Sequence, residues 1–495
     1  MDTANTYERG KAKLKQLLLG GTLRAKAMRG AMVLGGGSLA EQAVRFARNM
    51  LLTRLLAPSA FGAMAIVMSS SAIVGALTEV GLRSAVIQNP RGGEKAYFDA
   101  GWWMAMGRSI SMYLMILAMA PWVAHFYGNA ELSALLRVTL LGTLFDGAMS
   151  PRSILLQKEM KFGRWMAITN VGAICGVVVT VILSFILRGV WALAIGNCSE
   201  NVFRCLLSYI LCPGLPSLAW DRLALRDLYK FSKASFGLSL LNLIFSRTDI
   251  FVLGKLYSTT TLGLYAMAVA LVQTPSSFVG ALLGQTFFPA VAQVQEDKER
   301  VNRIFTQVTS WLILLGLPCV VVIYLCGHSL LSVIYGPRYV EGAGPMAVAA
   351  AVVFLNVLNI AITCVFVGIG RPELHRRAVA ASAVTMIILI YPACKLLGVV
   401  GGQVAALLAI SVSYLLQVLR MRELTGLDLL RYGKGFMRAA MVSAGLLGVG
   451  LGARSLGLAT RPLTNIALGA VACVIAYALC VPAFLRVEQN RVGGC

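Results

Sequence analysis

Charged residues are scarce in this sequence. Only 13% of its 495 residues are Asp, Glu, Lys or Arg, whereas 58% are hydrophobic. The mean hydropathy of +0.76 lies outside the range of soluble globular proteins. No polar stretch is long enough for a sizeable soluble domain. Because apolar runs of about 18 to 25 residues can each cross a bilayer as a helix, the composition predicts an all-α polytopic membrane protein.

Metal ligands are also few. The chain has three His residues and 11 Cys residues, and no two cysteines form a CxxC pair. We expect the cysteines to be reduced and to pack as small hydrophobic side chains. No residues show the spacing of a zinc site. The sequence therefore predicts neither a metal site nor a cofactor.

Acidic residues number 21 against 44 Lys and Arg, a net charge of +23. This excess does not indicate a nucleic-acid partner, because the basic residues sort by membrane side once the crossings are drawn. The outer loops contain only Arg188, Lys255, Arg338, Arg454 and Arg461. The positive-inside rule then places both termini in the cytoplasm. We expect a multi-pass membrane protein.

Polar breaks divide the chain into about 14 transmembrane helices. The predicted divisions are a basic cytoplasmic segment 1–29, an N-lobe of six helices 30–211, a cytoplasmic linker 212–231, a C-lobe of six helices 232–420, a cytoplasmic linker 421–437, two extra C-terminal helices 438–485 and a cytoplasmic tail 486–495. An internal repeat relates the two lobes. "RLLAPSAFGAMA" at 54–65 aligns with "KLYSTTTLGLYA" at 255–266, which matches Gly62 with Gly263. Such repeats often place a transport site at their interface.

The first crossing carries four charges, in "EQAVRFARNMLLTRLLAPSAFG" at 41–62. At helical spacing Glu41, Arg45 and Arg48 share one face, whereas Arg54 lies near the outer end on roughly the opposite side. A charged side chain at the centre of a membrane helix costs about 2.5 to 3.5 kcal/mol to insert, so these three together cost roughly 7 to 10 kcal/mol, whereas the apolar residues between 31 and 53 offset roughly 4 kcal/mol at best. We therefore expect this face to point away from lipid.

Similar polar faces occur on other crossings of both lobes. Their members are Glu79, Arg83, Arg108, Asn197, Glu200, Asn201 and Arg204 in the N-lobe, and Asn242, Arg247, Asp249, Asn356 and Asn359 in the C-lobe. Ionisable groups at membrane depth nearly always face a hydrated cavity, so we expect these residues to line one. The alternative is that Glu41 with Arg45, Glu79 with Arg83 and Glu200 with Arg204 are internal pairs that only fix helix packing.

Several motifs resemble one transporter family in order and spacing. These are "LLTRLLAPSAFGAMAIVMSSSAIVGALTEVGLRSAVIQNP" at 51–90, "SRTDIFVLGKLYSTTTLGLYAMA" at 246–268, "FFPAVAQVQEDKERVNRIF" at 287–305, "YGPRYVEGAGPM" at 335–346 and "VFVGIGRPEL" at 365–374. Together they resemble the polysaccharide transporter (Wzx-type) family of the MOP flippase superfamily over about residues 30–420. Glu79 stands where many relatives have an Asp.

The resemblance implies two six-helix lobes in a V-shaped, MATE-like arrangement, usually with two further helices. It implies that the protein flips undecaprenyl-diphosphate-linked oligosaccharides across the bacterial inner (cytoplasmic) membrane for O-antigen, capsule or exopolysaccharide synthesis, by alternating access through a cationic central cavity. We expect Arg45, Arg48 and Arg204 to bind the diphosphate, because guanidinium groups bind phosphate oxygens in pairs. Glu41 and Glu200 would orient these arginines or exchange a proton or sodium ion, and the other polar residues would line the cavity.

Two other functions stay open at this stage. One is an ion-coupled drug antiporter of the same superfamily, although the surplus of Arg does not suit cationic drugs. The other is a membrane polysaccharide polymerase or ligase, although the sequence shows no long outer loop and no general acid and base pair. The expected partners of a flippase are the lipid-linked glycan, membrane lipids, and a polysaccharide polymerase with glycosyltransferases.

Overall fold

The computed structural model describes residues 23–78, 86, 91, 94–217, 236–456 and 461–492. These residues form fourteen long helices, which we number in chain order. They are α1 (Leu23–Leu55), α2 (Pro58–Leu77), α3 (Lys95–Tyr127), α4 (Glu131–Gly147), α5 (Phe162–Leu187), α6 (Val190–Leu211), α7 (Phe236–Leu256), α8 (Thr259–Leu282), α9 (Lys298–Ile334), α10 (Ala343–Gly368), α11 (Pro372–Leu397), α12 (Val400–Thr425), α13 (Leu429–Ser455) and α14 (Pro462–Val492).

Shorter elements connect some of these helices. A short helix, Ser153–Lys158, precedes α5, and a 3-10 turn, Pro337–Gly342, leads into α10. Helix α8 continues through a π-helical turn, Leu283–Phe287, into a short segment, Phe288–Ala292. The described part of the chain contains no β-strand. The predicted all-α fold is therefore confirmed.

Turn chemistry explains where several helices begin and end. Proline opens α2, α11 and α14, where its missing N–H group would have no helical partner. The αL residue after α3 is Gly128, with φ of 67°, and the one after α12 is Gly426, with φ of 73°. Glycine occupies this conformation without steric cost, so both positions end their helices cleanly.

Nine of the described helical segments are long and apolar enough to cross a membrane: α2, α3, α5, α8, α9, α10, α11, α12 and most of α13. The other long helices are shorter or carry charge. Helix α4 has 17 residues, and charged side chains interrupt α1, α6 and α7. Those charged helices contain most of the candidate site residues. The chain is a multi-pass membrane protein.

The chain separates into two compact units. Unit 1 comprises Met1–Leu56 and Val67–Leu240, and unit 2 comprises Ala57–Ile66 and Leu241–Cys495. The first turns of α2 therefore belong to unit 2, although the rest of that helix belongs to unit 1. The sequence does not predict that α2 is divided between the two units, because it assigns the whole second crossing to the N-lobe. The last two helices fall within unit 2.

Unit 1 depends on small residues between its helices. A Cβ atom at Gly176 of α5 would lie 2.6 Å from Glu200 Cβ of α6, and one at Gly196 would lie 1.9 Å from Thr180 Oγ1. A Cβ atom could not occupy either position, so the two backbones approach this closely only because both residues are glycine. Helix α1 packs on α5, where Asn170 Nδ2 donates to the carbonyl of Gly37 at 3.2 Å.

Unit 2 has a larger apolar core. Its central members come from α9, α10 and α12 and include Phe305, Ile313, Leu358, Phe366 and Met421. Two hydrogen bonds join α9 to the end of α12. Asn302 Nδ2 donates to the carbonyl of Thr425, and Thr425 Oγ1 donates to Asn302 Oδ1 at 2.6 Å. Apolar packing and these hydrogen bonds hold the helices of unit 2 together.

Candidate functional site

Four charged side chains meet inside unit 1, and we call them the charged tetrad: Glu41 and Arg45 of α1, and Glu200 and Arg204 of α6. Arg45 Nη2 lies 2.9 Å from Glu41 Oε1 and 2.8 Å from Glu200 Oε1. Arg204 Nη2 lies 3.2 Å from Glu41 Oε1 and 2.8 Å from Glu200 Oε1. Each arginine therefore bridges both carboxylates, and the closed ring has no net charge.

The tetrad lies on two helices that are far apart in the sequence. On α1, Glu41 and Arg45 are four residues apart and so share a face, as do Glu200 and Arg204 on α6. The Glu200 side chain is only 7% exposed, whereas that of Arg45 is 32% exposed. The α6 side of the ring is therefore buried, and its α1 side is the more accessible one.

Two glycines of α5 bring the α6 members into place. A Cβ atom at Gly172 would lie 2.4 Å from Arg204 Cγ, and one at Gly176 would lie 2.8 Å from Glu200 Cα. The two glycines are four residues apart and lie on one face of α5. Any larger residue would push α6 away from α5. In the sequence "GAICG" at 172–176 shows this spacing, but spacing alone does not identify the residues it supports.

Arg48 lies one turn beyond Arg45 on α1 and adds a fifth charge to the group. Its Nε and Nη2 atoms donate to Asn49 Oδ1, each at 3.3 Å, which is long for a charged donor. With three guanidinium groups and two carboxylates, the five residues carry one net positive charge, and Arg48 supplies it. Within the described part of the chain, its remaining N–H groups have no acceptor.

One donor within the tetrad also lacks a partner. Arg204 Nε is buried and makes no hydrogen bond to the described residues. A buried N–H group without an acceptor is costly, and in native proteins it calls for a specific explanation. The N–H groups of Arg48 and Arg204 that have no acceptor could therefore bind an anion in this part of unit 1.

The other N-lobe candidates lie around the tetrad or away from it. Asn201 faces α4, because a Cβ atom at Gly142 would lie 2.8 Å from its Nδ2 atom. Asn197 is half-buried on α6. Arg108 of α3 donates from Nε to the carbonyl of Thr78 at 2.8 Å and from Nη2 to that of Gly75 at 3.4 Å.

The position of Arg108 indicates a structural role. The carbonyl groups at the end of a helix lack intrahelical partners and carry partial negative charge. Arg108 satisfies two of them at the end of α2. Glu79 and Arg83 lie outside the described residues, so their role as cavity residues stays a prediction.

The C-lobe candidates do not form a comparable ionic group. Asp249 of α7 is buried and accepts a hydrogen bond from the hydroxyl of Tyr265 on α8, and Gln403 Nε2 of α12 donates to the same hydroxyl at 2.6 Å. Sequence reasoning did not identify Tyr265 or Gln403. Both stand in otherwise apolar segments, where no local pattern marks them as partners of a carboxylate.

The remaining C-lobe candidates differ in exposure. Asn359 of α10 is buried, and its Oδ1 accepts from Gln417 Nε2 of α12 at 2.6 Å. Asn356 and Arg247 are half-buried, and Asn242 is exposed. Asp249 and Asn359 therefore hold helices of unit 2 together, which favours a packing role for these two residues.

No group of three or more His, Cys, Asp or Glu side chains in the described ranges could hold a metal ion. The tetrad itself contains two carboxylates, but each already forms ion pairs with two guanidinium groups. These arginines occupy the space that a cation would need. The arginines of the tetrad could instead donate hydrogen bonds to a bound anion, which would replace the carboxylates as the acceptor.

Comparison with protein families gives one clear match. The family described as "Polysaccharide biosynthesis protein" matches residues 51–343, which is more than half of the chain. Its range includes Glu200 and Arg204 and begins just after Arg48. The match therefore covers the α6 half of the tetrad.

Three curated proteins are similar to this chain. The succinoglycan biosynthesis transport protein ExoT of Rhizobium meliloti is 25% identical over 54% of this chain and 55% of its own length. The teichuronic acid biosynthesis protein TuaB of Bacillus subtilis is 20% identical, over 60% and 62%. The lipopolysaccharide biosynthesis protein WzxC of Escherichia coli is 18% identical, over 64% and 65%. The similarity thus spans under two thirds of each relative.

Solved structures show the same fold at low sequence identity. The lipid II flippase MurJ in an inward closed conformation has a TM-score of 0.74 at 11% identity, and covers 92% of this chain and all of MurJ. An inward-facing multidrug resistance MATE family transporter of the MOP superfamily has a TM-score of 0.61 at 15% identity, over 77% and 95%. The chain therefore has the fold of the MOP superfamily.

Proposed function

Since this chain belongs to the polysaccharide biosynthesis protein family, we propose that it flips undecaprenyl-diphosphate-linked oligosaccharide repeat units across the bacterial inner membrane. The family and the proteins of similar fold are transporters and flippases rather than catalysts, and the chain is not an enzyme. The similar proteins take part in teichuronic acid, succinoglycan or lipopolysaccharide biosynthesis, and one protein of similar fold is a lipid II flippase. The proposal thus names the substrate class, the membrane that the substrate crosses and the mechanism by which it crosses.

The observation that carries the proposal is that N–H groups of Arg48 and Arg204 lack good acceptors. Arg48 has only long hydrogen bonds, to Asn49, and Arg204 Nε has no acceptor among the described residues. A diphosphate offers several acceptor oxygens and negative charge, and guanidinium groups bind such oxygens in pairs. We therefore assign the diphosphate to Arg48, Arg204 and Arg45, with Glu41 and Glu200 holding the arginines in place when no substrate is bound.

The polar side chains on the same helices would contact the sugars. Asn197 and Asn201 of α6 can both donate and accept hydrogen bonds. The mechanism we propose is alternating access, with both termini in the cytoplasm and a proton or sodium gradient as the energy source. A polysaccharide polymerase and glycosyltransferases would act before and after this step.

A deletion strain tests the proposal. Lipid-linked repeat units should accumulate on the cytoplasmic side when the gene is removed, and the wild-type gene should restore export of the polymer. Normal polymer export in the deletion strain, with no accumulated lipid-linked units, would contradict the proposal in a genome without a second flippase.

The alternative is an ion-coupled drug antiporter, which the likeness to the MATE fold favours. Its substrates are organic cations, for which a cavity needs free carboxylates. In unit 1 both carboxylates of the tetrad form ion pairs with arginines. A drug-resistance assay in a susceptible host separates the two functions, because a flippase should leave drug sensitivity unchanged. A polymerase or ligase is not supported by this family.

A further inference from the structure

A crevice lies in unit 1 beside the first turn of α5. It has a volume of about 410 Å³ and is lined by Arg29, Gly30 and Val33 of α1 and by residues 159–163. A Cβ atom at Gly30 would lie 2.6 Å from the ring of Phe162, so this ring packs directly on the α1 backbone. Arg29 and Glu41 are 12 residues apart, which is about 18 Å along the helix axis. The crevice is therefore separate from the tetrad.

The crevice lies at a membrane interface. Helices α1 and α5 run from it in the same direction, because Phe162 packs on Gly30 and Met166 packs on Gly37. Helix α5 is long and apolar enough to cross the bilayer, so its first residues lie at one surface. Beside the crevice, Met32 and Val33 of α1 are 53% and 41% exposed and present apolar surface. The predicted cytoplasmic termini place this end in the inner leaflet.

Three charged side chains line the crevice. Arg29 is exposed, and Lys161 Nζ lies 2.6 Å from Glu159 Oε2, with side chains that are 57% and 48% exposed. Two basic groups and one acidic group give the lining one net positive charge. An ion pair as exposed as this one contributes little stability, so Lys161 can exchange Glu159 for another anion at small cost. Arg164, exposed in the first turn of α5, adds positive charge nearby.

The turn before α5 holds an apolar side chain in a strained conformation. Met160 has a φ of 57°, in a region that glycine occupies without steric cost and other residues rarely adopt. The backbone hydrogen bond from Lys161 N to Leu156 O, at 2.7 Å, fixes this turn. The Met160 side chain is 40% exposed and lines the crevice. An exposed apolar side chain at a position that favours glycine points to an apolar partner outside the chain.

We propose that the crevice binds an anionic phospholipid of the bilayer, with its phosphate between Arg29 and Lys161 and an acyl chain against Met160 and Val33. A phosphodiester headgroup carries one negative charge, which matches the net charge of the lining. The guanidinium group can donate to two phosphate oxygens at once, and basic pockets between membrane helices at the cytoplasmic side bind anionic headgroups in this way. This inference does not depend on the proposed function, because it concerns a different part of unit 1.

Native mass spectrometry of the full chain in detergent tests this inference. The protein is titrated with phosphatidylglycerol, with zwitterionic phosphatidylcholine of the same acyl chains, and with inorganic phosphate as a competitor. Wild type should bind one phosphatidylglycerol more tightly than phosphatidylcholine. Inorganic phosphate should not displace it, because it lacks the acyl chain. In Arg29→Gln/Lys161→Gln the affinity for this lipid should fall about tenfold or more, since hydrogen bonds to charged groups each contribute roughly that factor.

Two further variants separate a built site from general surface charge and from misfolding. Arg376→Gln/Arg377→Gln is the matched control, because it also removes two exposed basic residues, at the start of α11, and it should bind phosphatidylglycerol like wild type. Met160→Gly relieves the strained φ while it removes the apolar side chain. It should keep or raise the Tm measured without added lipid, yet bind phosphatidylglycerol more weakly than wild type.

Several outcomes would overturn the inference. Equal affinity of wild type and Arg29→Gln/Lys161→Gln for phosphatidylglycerol would do so, as would an equal loss in the two double variants. Equal affinity of wild type for the two lipids would show that the crevice does not select negative charge. Displacement of the lipid by inorganic phosphate at the same concentration would make this a site for free anions. None of these results would contradict the flippase proposal, which rests on the tetrad and Arg48.

Discussion

Gly62 and Gly263, which the internal repeat aligns with each other, are in direct contact in unit 2. A Cβ atom at Gly62 would lie 1.8 Å from the carbonyl oxygen of Thr259, and one at Gly263 would lie 1.8 Å from that of Pro58. The two repeats therefore meet backbone to backbone at equivalent positions. This contact explains why the first turns of α2 belong to unit 2.

Substitution of either glycine should destabilise unit 2. In Gly62→Ala or Gly263→Ala the new methyl group would collide with a carbonyl of the facing helix, and overpacking of this kind typically costs about 1 to 3 kcal/mol. A thermal-unfolding assay in detergent should show a lower Tm for both variants. Gly107→Ala is the control, because a Cβ atom there has nothing within 4 Å. A Tm of Gly62→Ala equal to that of the control would refute the contact.

Gly176→Ala should disrupt the tetrad without touching any charged residue. The methyl group would lie 2.6 Å from Glu200 Cβ, so α6 must move away from α5 and carry Glu200 with it. We expect loss of polymer export together with a lower Tm. Gly163→Ala, on the same helix with no atom within 4 Å of its Cβ position, should retain export. Full export by Gly176→Ala would show that the position of Glu200 is not critical.

Arg45 and Glu200 should be energetically coupled. Their contact of 2.8 Å joins α1 to α6, and contacting charged residues usually show coupling of about 0.5 to 3 kcal/mol in a double-mutant cycle. The cycle uses Arg45→Gln, Glu200→Gln and the double variant, with the free energy of unfolding as the measurement. A parallel cycle with Arg48→Gln should give weaker coupling to Glu200, because Arg48 makes no hydrogen bond to it in the described structure. Equal coupling in the two cycles would contradict the tetrad.

Tyr265→Phe should lower stability without changing any proposed substrate contact. It removes the donor to Asp249 Oδ2 and the acceptor for Gln403 Nε2, which leaves two buried polar atoms unpaired at a cost of about 1 to 3 kcal/mol each. Thermal unfolding measures the loss. Tyr391→Phe is the matched control, since Tyr391 is 55% exposed. Identical unfolding of the two variants would mean that the hydroxyl of Tyr265 does not stabilise the fold.

The sequence predicts much of the fold because long apolar runs and proline or glycine breaks are local signals. Helix α6 ends at Leu211, the residue at which the N-lobe is predicted to end. The shared face of Glu41 and Arg45 also follows from spacing along one helix.

Partners on other helices are not predictable in this way. Nothing near Arg45 indicates Glu200, and nothing near Asp249 indicates Tyr265. The sequence therefore identifies the charged residues of α1 and α6 but treats each pair separately, and it counts Arg45 and Arg204 as available cations. In the structure both guanidinium groups are balanced by carboxylates, which leaves Arg48 as the surplus charge.

Arg48→Ala should therefore abolish polymer export while the protein reaches the membrane at normal levels. Hydrogen bonds to charged groups contribute about 1.5 to 3 kcal/mol, so affinity for the diphosphate should fall tenfold or more. Arg48→Lys keeps the charge but loses the planar pair of donors, and it should retain only part of the activity. Export is the readout, and Arg54→Ala, which changes an exposed arginine near the end of the same helix, should keep it.

The most direct test of the account is a flipping assay with purified protein in liposomes. A fluorescent prenyl-diphosphate-linked sugar is placed in both leaflets, and a membrane-impermeant quencher reports how fast the inner pool reaches the outer surface. Wild type should make nearly all of the probe accessible, whereas Arg48→Ala and protein-free liposomes should leave the inner pool protected. Equal rates for wild type and protein-free liposomes would contradict the flippase function, and equal rates for wild type and Arg48→Ala would contradict the site.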